Sequence, residues 1–305
     1  MIERIVYGFL PYALASSGAL ASELAGSLAV FTDGFMQLGG FVFWVIATGS
    51  QSLLLGGFAA MSVAGLLAWL LGRWTRASGS NPFITALAVN AAASALTDSL
   101  SGLLYGKRGE LLPPADSLLF AASKEGGLWA DIGRLASSPL VWLSIASLAG
   151  LAVFLSYSRR GLWLRAAGRS PRALEERGIA VAPLRDLAWV LAGAGAALAG
   201  AILVWRLAAF TPSVASGRGW IALAIVFMGQ RRLVGMIAAS LVFSLAELLA
   251  VESRLFAALP PALLQAAPSL LALVLYALQS YSLKDRTTGS HKAGEQRPKR
   301  IFGRR

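Results

Sequence analysis

Long apolar runs, separated by short polar stretches, dominate this chain and decide what it can fold into. Inside a bilayer a backbone N–H or C=O finds no water, so a crossing segment must satisfy its own backbone, as an α-helix does. About 17 to 25 apolar residues suffice for one crossing. Segments at roughly 6–22, 34–49, 52–72, 83–105, 139–157, 187–209 and 233–251, with a last one near 267–283, qualify or nearly do. A shorter stretch at 219–230 brings the candidates to nine; without it there are eight. Twelve helical residues rise only about 18 Å, so this stretch is a half-span or extends backward through 213–218. Only 14% of residues are charged, against about 25% in a soluble domain. The expected fold is an all-α, polytopic transmembrane helical bundle of about eight to nine membrane segments.

Charge orients the bundle. Short loops rich in Lys and Arg stay on the cytoplasmic side. Loop 73–82 carries Arg73 and Arg76, Arg231 and Arg232 mark a short internal turn, and the tail 284–305 holds eight Lys/Arg. Loop 158–186 has seven arginines against Glu175, Glu176 and Asp186. All of these read as cytoplasmic, the C-terminus included. Loop 106–138 balances Lys107, Arg108, Lys124 and Arg134 against Glu110, Asp116, Glu125 and Asp131, and reads as external. Tracing back through three segments puts the N-terminus outside. The division is a membrane-embedded domain over 1–283 and a basic tail over 284–305 without apolar periodicity, expected to be disordered. The net charge of +12 follows from this loop pattern and does not call for a nucleic acid. The chain lacks cysteine, and its one histidine, His291, lies in the tail. No disulfide framework, thiolate metal site or cofactor is expected. The start reads as a retained helix rather than a signal peptide.

Within loop 158–186, residues 172–177 suit one short helix, with Ser170 and Pro171 at its start and Gly178 at its end. A basic helix at the cytoplasmic face of an embedded chain is a docking feature. At 191–201 the run LAGAGAALAGA sets Gly193 and Ala197, or Ala196 and Gly200, four apart on one face. Small faces let helix backbones approach closely in lipid. Packing within one bundle is the ordinary use, and a face between subunits is the other.

Polar residues in apolar surroundings are the candidate functional residues. Glu23 and Asp33 flank Gly26. A charge at mid-membrane costs roughly 3 kcal/mol on translocon scales and commonly lines water; a helix break there would equally place both acids at interfaces. Glu247, in SLAELL, fits an external vestibule or an interface. Asn90 and Thr97 lie seven apart, on one helix face. With Asn81 and Thr85 they offer uncharged donors and acceptors, either to a solute or to neighbouring helices. Phe41, Phe43, Trp44, Trp205 and Trp220 offer stacking surfaces, although interfacial belts account for most membrane tryptophans. There is neither a GxxxxGK[ST] phosphate loop nor an HExxH, so this chain does not bind ATP in the P-loop manner and offers no zinc-protease site.

Four blocks resemble the permease subunits of ABC importers for simple sugars, nucleosides and branched-chain amino acids, nearest the nucleoside-type permeases. In GALASELAGSLAVFTDGFMQLGGF (18–41), Gly18, Glu23, Ala25, Gly26, Gly34, Met36 and Gly39 fall on that branch's pattern, with Asp33 where the family has its second acid. In NPFITALAVNAAASALT (81–97) the matches are Asn81, Thr85, Asn90 and Thr97. GLWLRAAGRSPRALEERGI (161–179) resembles the coupling segment at Gly161, Leu164, Arg165, Ala166, Gly168, Pro171, Arg172, Ala173, Glu175 and Gly178. The fourth block is 216–249. The resemblance departs at Leu24 and Ala29, where the family has Arg and Asn, and at Phe31–Thr32, where it has Gly-Leu; the lost polar groups imply work beside a second, different permease chain. It implies further partners as well: a separate cytoplasmic ABC ATPase gripping 161–179 and an extracytoplasmic binding protein delivering solute. It also implies a bacterial cytoplasmic membrane location and no enzymatic activity of the chain's own. The implied solute is a nucleoside, with a sugar second. A proton-coupled secondary transporter using Glu23, Asp33 or Glu247 is the rival. An intramembrane enzyme is disfavoured by the scarcity of His and Cys.

Overall fold

The computed structural model describes residues 2–113, 133 and 135–253. The segment near 267–283, the tail 284–305 and most of the charges expected in the external loop lie outside these. The described residues form ten helices: α1 Ile2–Leu24, α2 Thr32–Ser50, α3 Leu53–Ala77, α4 Pro82–Tyr105, α5 Pro139–Tyr157, α6 Arg159–Arg169, α7 Pro171–Glu175, α8 Val181–Leu207, α9 Arg218–Met228 and α10 Leu233–Ser253. The one β feature among them is an isolated bridge between Leu111 and Phe210. An all-helical membrane bundle is therefore the architecture.

Among the described residues, five stretches are long and apolar enough to cross a membrane: Arg4–Leu24, Leu53–Ala77, Pro82–Tyr105, Pro139–Tyr157 and Val181–Leu207. The sequence reading of eight to nine includes the segment near 267–283, which lies outside the described residues. α2 carries Asp33, Gln37 and four glycines among its 19 residues. α9 has only 11 residues, while α10, with 21, matches the segment expected at 233–251. The short segment proves to be a half-span, because 208–217 is non-helical and α9 begins at Arg218 after a left-handed Gly217. The coupling loop also differs from expectation. It holds two helices rather than one, since α6 precedes the short α7 and Ser170 stands between them without a capping side-chain bond. Gly178 does end the second, with φ 74°.

The core forms around α8, which packs against α1, α2 and α3. Its small residues permit this. A β-carbon at Gly195 would stand 2.8 Å from the Leu14 carbonyl oxygen of α1, and one at Gly193 would stand 2.9 Å from the Ala64 carbonyl oxygen of α3. A β-carbon at Gly200 would overlap the Met36 carbonyl of α2. Both four-residue small faces are thus used within this bundle. Large side chains fill the remaining space: Phe31, Phe35, Phe43, Trp44 and Phe210 are fully buried.

One end of the bundle gathers the basic loops. Arg76 of α3 pairs with Asp186 of α8, Glu23 of α1 with Arg231 of the α9–α10 turn, and Gly168 of α6 rests on the end of α1. The opposite end holds 106–113 and 208–217, joined by the Leu111–Phe210 bridge. α4 packs chiefly on α2 and leaves Phe83, Ile84, Leu87, Leu96 and Leu103 exposed.

Gly200→Leu is expected to lower stability by about 1–3 kcal/mol or more, because the backbone contact with Met36 leaves no room for a side chain. Leu103→Ala, at an exposed position, should change it by less than about 0.5 kcal/mol. Thermal unfolding of the two variants in detergent checks the contrast.

Candidate functional site

Two regions meet along α1 and α2: a basic platform at one end of the bundle, and a helix break that leads inward from it.

The platform is built from α6 and α7. Ser158, in extended conformation, caps α6 by accepting the Gly161 N–H at 2.9 Å. Gly161, Leu164 and Ala167 recur at helical spacing and are buried, so this stripe seats α6 on the bundle. Gly161 lies against the Phe154 carbonyl of α5. Gly168 lies against the Leu24 carbonyl, and a β-carbon there would come 2.9 Å from the Gly26 nitrogen. Gly26 itself holds φ 72°, a left-handed turn that glycine adopts without strain. Pro171 opens α7, and Leu174 anchors it against Ala167, Val181 and Leu184. Arg172, Glu175 and Gly178 are exposed. Arg165 is half-buried, and its Nε has no hydrogen-bond partner. With Arg169, Arg231, Arg232 and Glu23 it lines a cleft of about 280 Å³. Of the residues expected to couple to an ATPase, Gly161 and Gly168 therefore face the bundle, while Arg172 and Glu175 face outward.

Glu23 sits where α1 ends, with its side chain only 12% exposed, and pairs with Arg231 at 2.6 Å. Asp33 lies in the first turn of α2. Its Oδ1 accepts the Gly219 N–H at 3.0 Å, at the start of α9. A carboxylate at a helix N-terminus satisfies a free donor and complements the helix dipole.

Asn90 and Thr97 do share one face of α4, and that face meets α2. Asn90 Oδ1 accepts the Gly34 N–H, and its Nδ2 donates to the Val30 carbonyl, both at 2.8 Å. Asn90 thus holds the chain on either side of the α2 start. Gln37 Nε2 donates to Thr97 Oγ1 at 3.2 Å and to the Thr211 carbonyl at 3.3 Å. Asn81 caps α4 by accepting the Phe83 N–H, and Thr85 donates to the Asn81 carbonyl within the same helix. Glu247 pairs with Arg218 at 2.7 Å, and Tyr12 lies within hydrogen-bond reach of both. The aromatic residues divide. Trp44 is 1% exposed and Phe41 stacks edge-on with Phe210, so these belong to the core; Trp220, at 44%, is exposed.

Sequence reasoning missed Tyr12, Gln37 and Arg218. Gln37 carried a usable signal, since it lies four residues beyond Asp33 on the same helix face. Among the described residues, no group of three or more His, Cys, Asp or Glu could hold a metal ion.

Known proteins resemble this chain over most of its length. The family described as branched-chain amino acid transport system / permease component matches residues 1–278. The guanosine ABC transporter permease protein NupQ of Bacillus subtilis (strain 168) is 27% identical over 281 residues, covering 87% of this chain and 86% of that protein. The putative glucose ABC transporter permease protein TsgC13 of Haloferax volcanii is 30% identical over 262 residues, covering 79% and 74%. Among solved structures, PsaBC from Streptococcus pneumoniae in complex with Fab aligns with a TM-score of 0.54 over 90% of this chain and 89% of that one. At 12% identity that likeness is one of fold.

Asn90→Leu should cost about 1–3 kcal/mol, because two hydrogen bonds between helices are lost and their backbone partners are stranded. Thr85→Val, which removes a bond within one helix, should cost less than about 1 kcal/mol. Unfolding of both variants in detergent measures the difference, and equal losses would contradict the clamp.

Proposed function

The chain belongs to the family of branched-chain amino acid transport permease components, and from that premise we propose that a nucleoside crosses the membrane along it. The family makes it a multi-pass transmembrane permease subunit of an ABC importer. The nucleoside is our reading. The observation that carries it is the likeness to a guanosine permease across 87% of this chain. The uncharged groups near the helix break support it, since a neutral, hydroxyl-rich solute needs donors and acceptors more than a fixed charge. A sugar is the second reading, favoured by the likeness to TsgC13.

In this reading the solute passes beside the break between α1 and α2, with Asp33, Asn90, Thr97 and Glu247 shaping the route. Asn90, Thr97 and Asp33 hold the α2 start, and its rearrangement would bare backbone groups toward a polar solute, as broken helices in transporters do. ATP is hydrolysed in a separate cytoplasmic chain that docks on α6 and α7, where Arg165, Arg169 and Arg172 suit carboxylates or carbonyls. A binding protein delivers solute to the opposite end, and a second, different permease chain covers the exposed side. The basic end is cytoplasmic, in a bacterial inner membrane. Residues 1–283 are the permease domain and 284–305 a cytoplasmic tail.

Copurification in mild detergent, with bound subunits identified by mass and reconstituted into liposomes, tests this. Radiolabelled guanosine should enter only with ATP, persist when a protonophore collapses the proton gradient, and be competed by unlabelled nucleosides but not by glucose. Uptake that ignores ATP and follows the proton gradient would favour a secondary transporter. Competition by glucose alone would favour the sugar.

Orientation can be tested directly, because the chain has no cysteine. Lys107→Cys should react with an impermeant maleimide on intact cells, and Ala173→Cys only after permeabilisation. The reverse pattern would invert the topology.

A further inference from the structure

We propose that the half-helix α9 carries movement of the coupling segment into the membrane interior, and that the Glu23–Arg231 ion pair drives it. This rests on the reading of α6 and α7 as the ATPase seat. α9 is held at both ends by the two acids that flank the α1–α2 break. At the basic end Glu23 pairs with Arg231 at 2.6 Å; at the inner end the Gly219 N–H donates to Asp33 at 3.0 Å. α6 bears on the same short stretch, because Gly168 touches the Leu24 carbonyl and Gly26. Displacing α6 therefore moves residues 24–26, next to Glu23. Eleven helical residues span about 16 Å, so α9 delivers that displacement to Asp33 and to the neighbouring Arg218–Glu247 pair.

Three observations point to Arg231 as a positioning residue rather than a stabilising one. Its side chain is 59% exposed, and an ion pair so open to water contributes little to stability. Gln230 and Arg231 hold φ of 55° and 56° without glycine, a conformation that costs an L-residue energy and persists only where surroundings impose it. The Arg231 N–H closes the end of α9 on the Val226 carbonyl at 3.1 Å, and its guanidinium lies 5.9 Å from the Phe227 ring centre. The side chain is thus fixed to α9 while its charge engages α1. Glu23 is also the one acid among four arginines lining the cleft, so its choice of partner is sensitive to how α6 sits.

The test uses the assembled complex with its ATPase. Nitroxide labels at Trp220→Cys on α9 and Leu66→Cys on α3, both exposed positions, report their separation with and without ATP. The unaltered pair should show an ATP-dependent shift in separation. Glu23→Gln and Arg231→Gln should each reduce the shifted population about five-fold, with the ATPase still bound, and the double variant should lose no more than either single one. Arg231→Lys should retain the shift, and Arg76→Gln, at a different ion pair of the same end, should leave it unchanged. No ATP-dependent shift in the unaltered pair would overturn the proposal. So would multiplicative losses in the double variant, equal loss in Arg76→Gln, or release of the ATPase by Glu23→Gln. A complex that moves α9 with ATP but imports no guanosine would overturn the solute reading and leave this link standing.

Discussion

Everything in this bundle depends on how closely other backbones can approach α8. In hydrocarbon, helices gain nothing by hiding apolar surface from water, so association rests on van der Waals contact and hydrogen bonds between helices. The alanines and glycines between Ala192 and Ala201 remove side chains where α1, α2 and α3 arrive. Three helices thereby share one axis, and their relative heights are set at backbone resolution. That registry puts the end of α1 beneath α6 and the start of α2 opposite Asn90. The polar contacts of the site are a consequence of packing among nearly featureless side chains.

A second constraint is the conflict between an apolar environment and an interrupted backbone. Each break leaves donors and acceptors that must be answered locally. The interruption between α1 and α2 is answered by Asn90, by the Ser22 hydroxyl on Ala29 N–H, and by Trp189 Nε1 on Ser27. The one before α9 is answered by Asp33 at Gly219. The polar residues of the site therefore do two things at once: they make the breaks tolerable and they mark where the backbone is open to rearrangement.

Much of this was legible in the sequence, and the limits are instructive. Apolar runs mapped onto α3, α4 and α5 within a few residues, because length and hydropathy alone determine them. Arithmetic on its rise left α9 either a half-span or a helix extended backward through 213–218, and the fold takes the shorter form. The helix α6 was not anticipated: RRGLWLRAAGR is too basic to read as a span, and its buried stripe of Gly161, Leu164 and Ala167 is narrow. Asn90 and Thr97 were placed on a common face by spacing. Spacing cannot tell which groups they bond, since Val30 and Gln37 are brought near only by the fold. The pairing of Glu23 with Arg231 joins residues more than two hundred positions apart, and a reading of local pattern has no access to it.

Among the described residues, the basic end takes its positive side chains from arginine. Segments 73–82, 158–186 and 229–232 contain neither lysine nor histidine. No imidazole there can switch charge near neutrality, and no primary amine is available for acetylation or ubiquitin attachment. The positive charge of these three segments is thus a constant of the fold. Control over a contact with these segments falls to the partner, to the shape of the cleft or to the tail 284–305, where Lys284, Lys292, Lys299 and His291 lie.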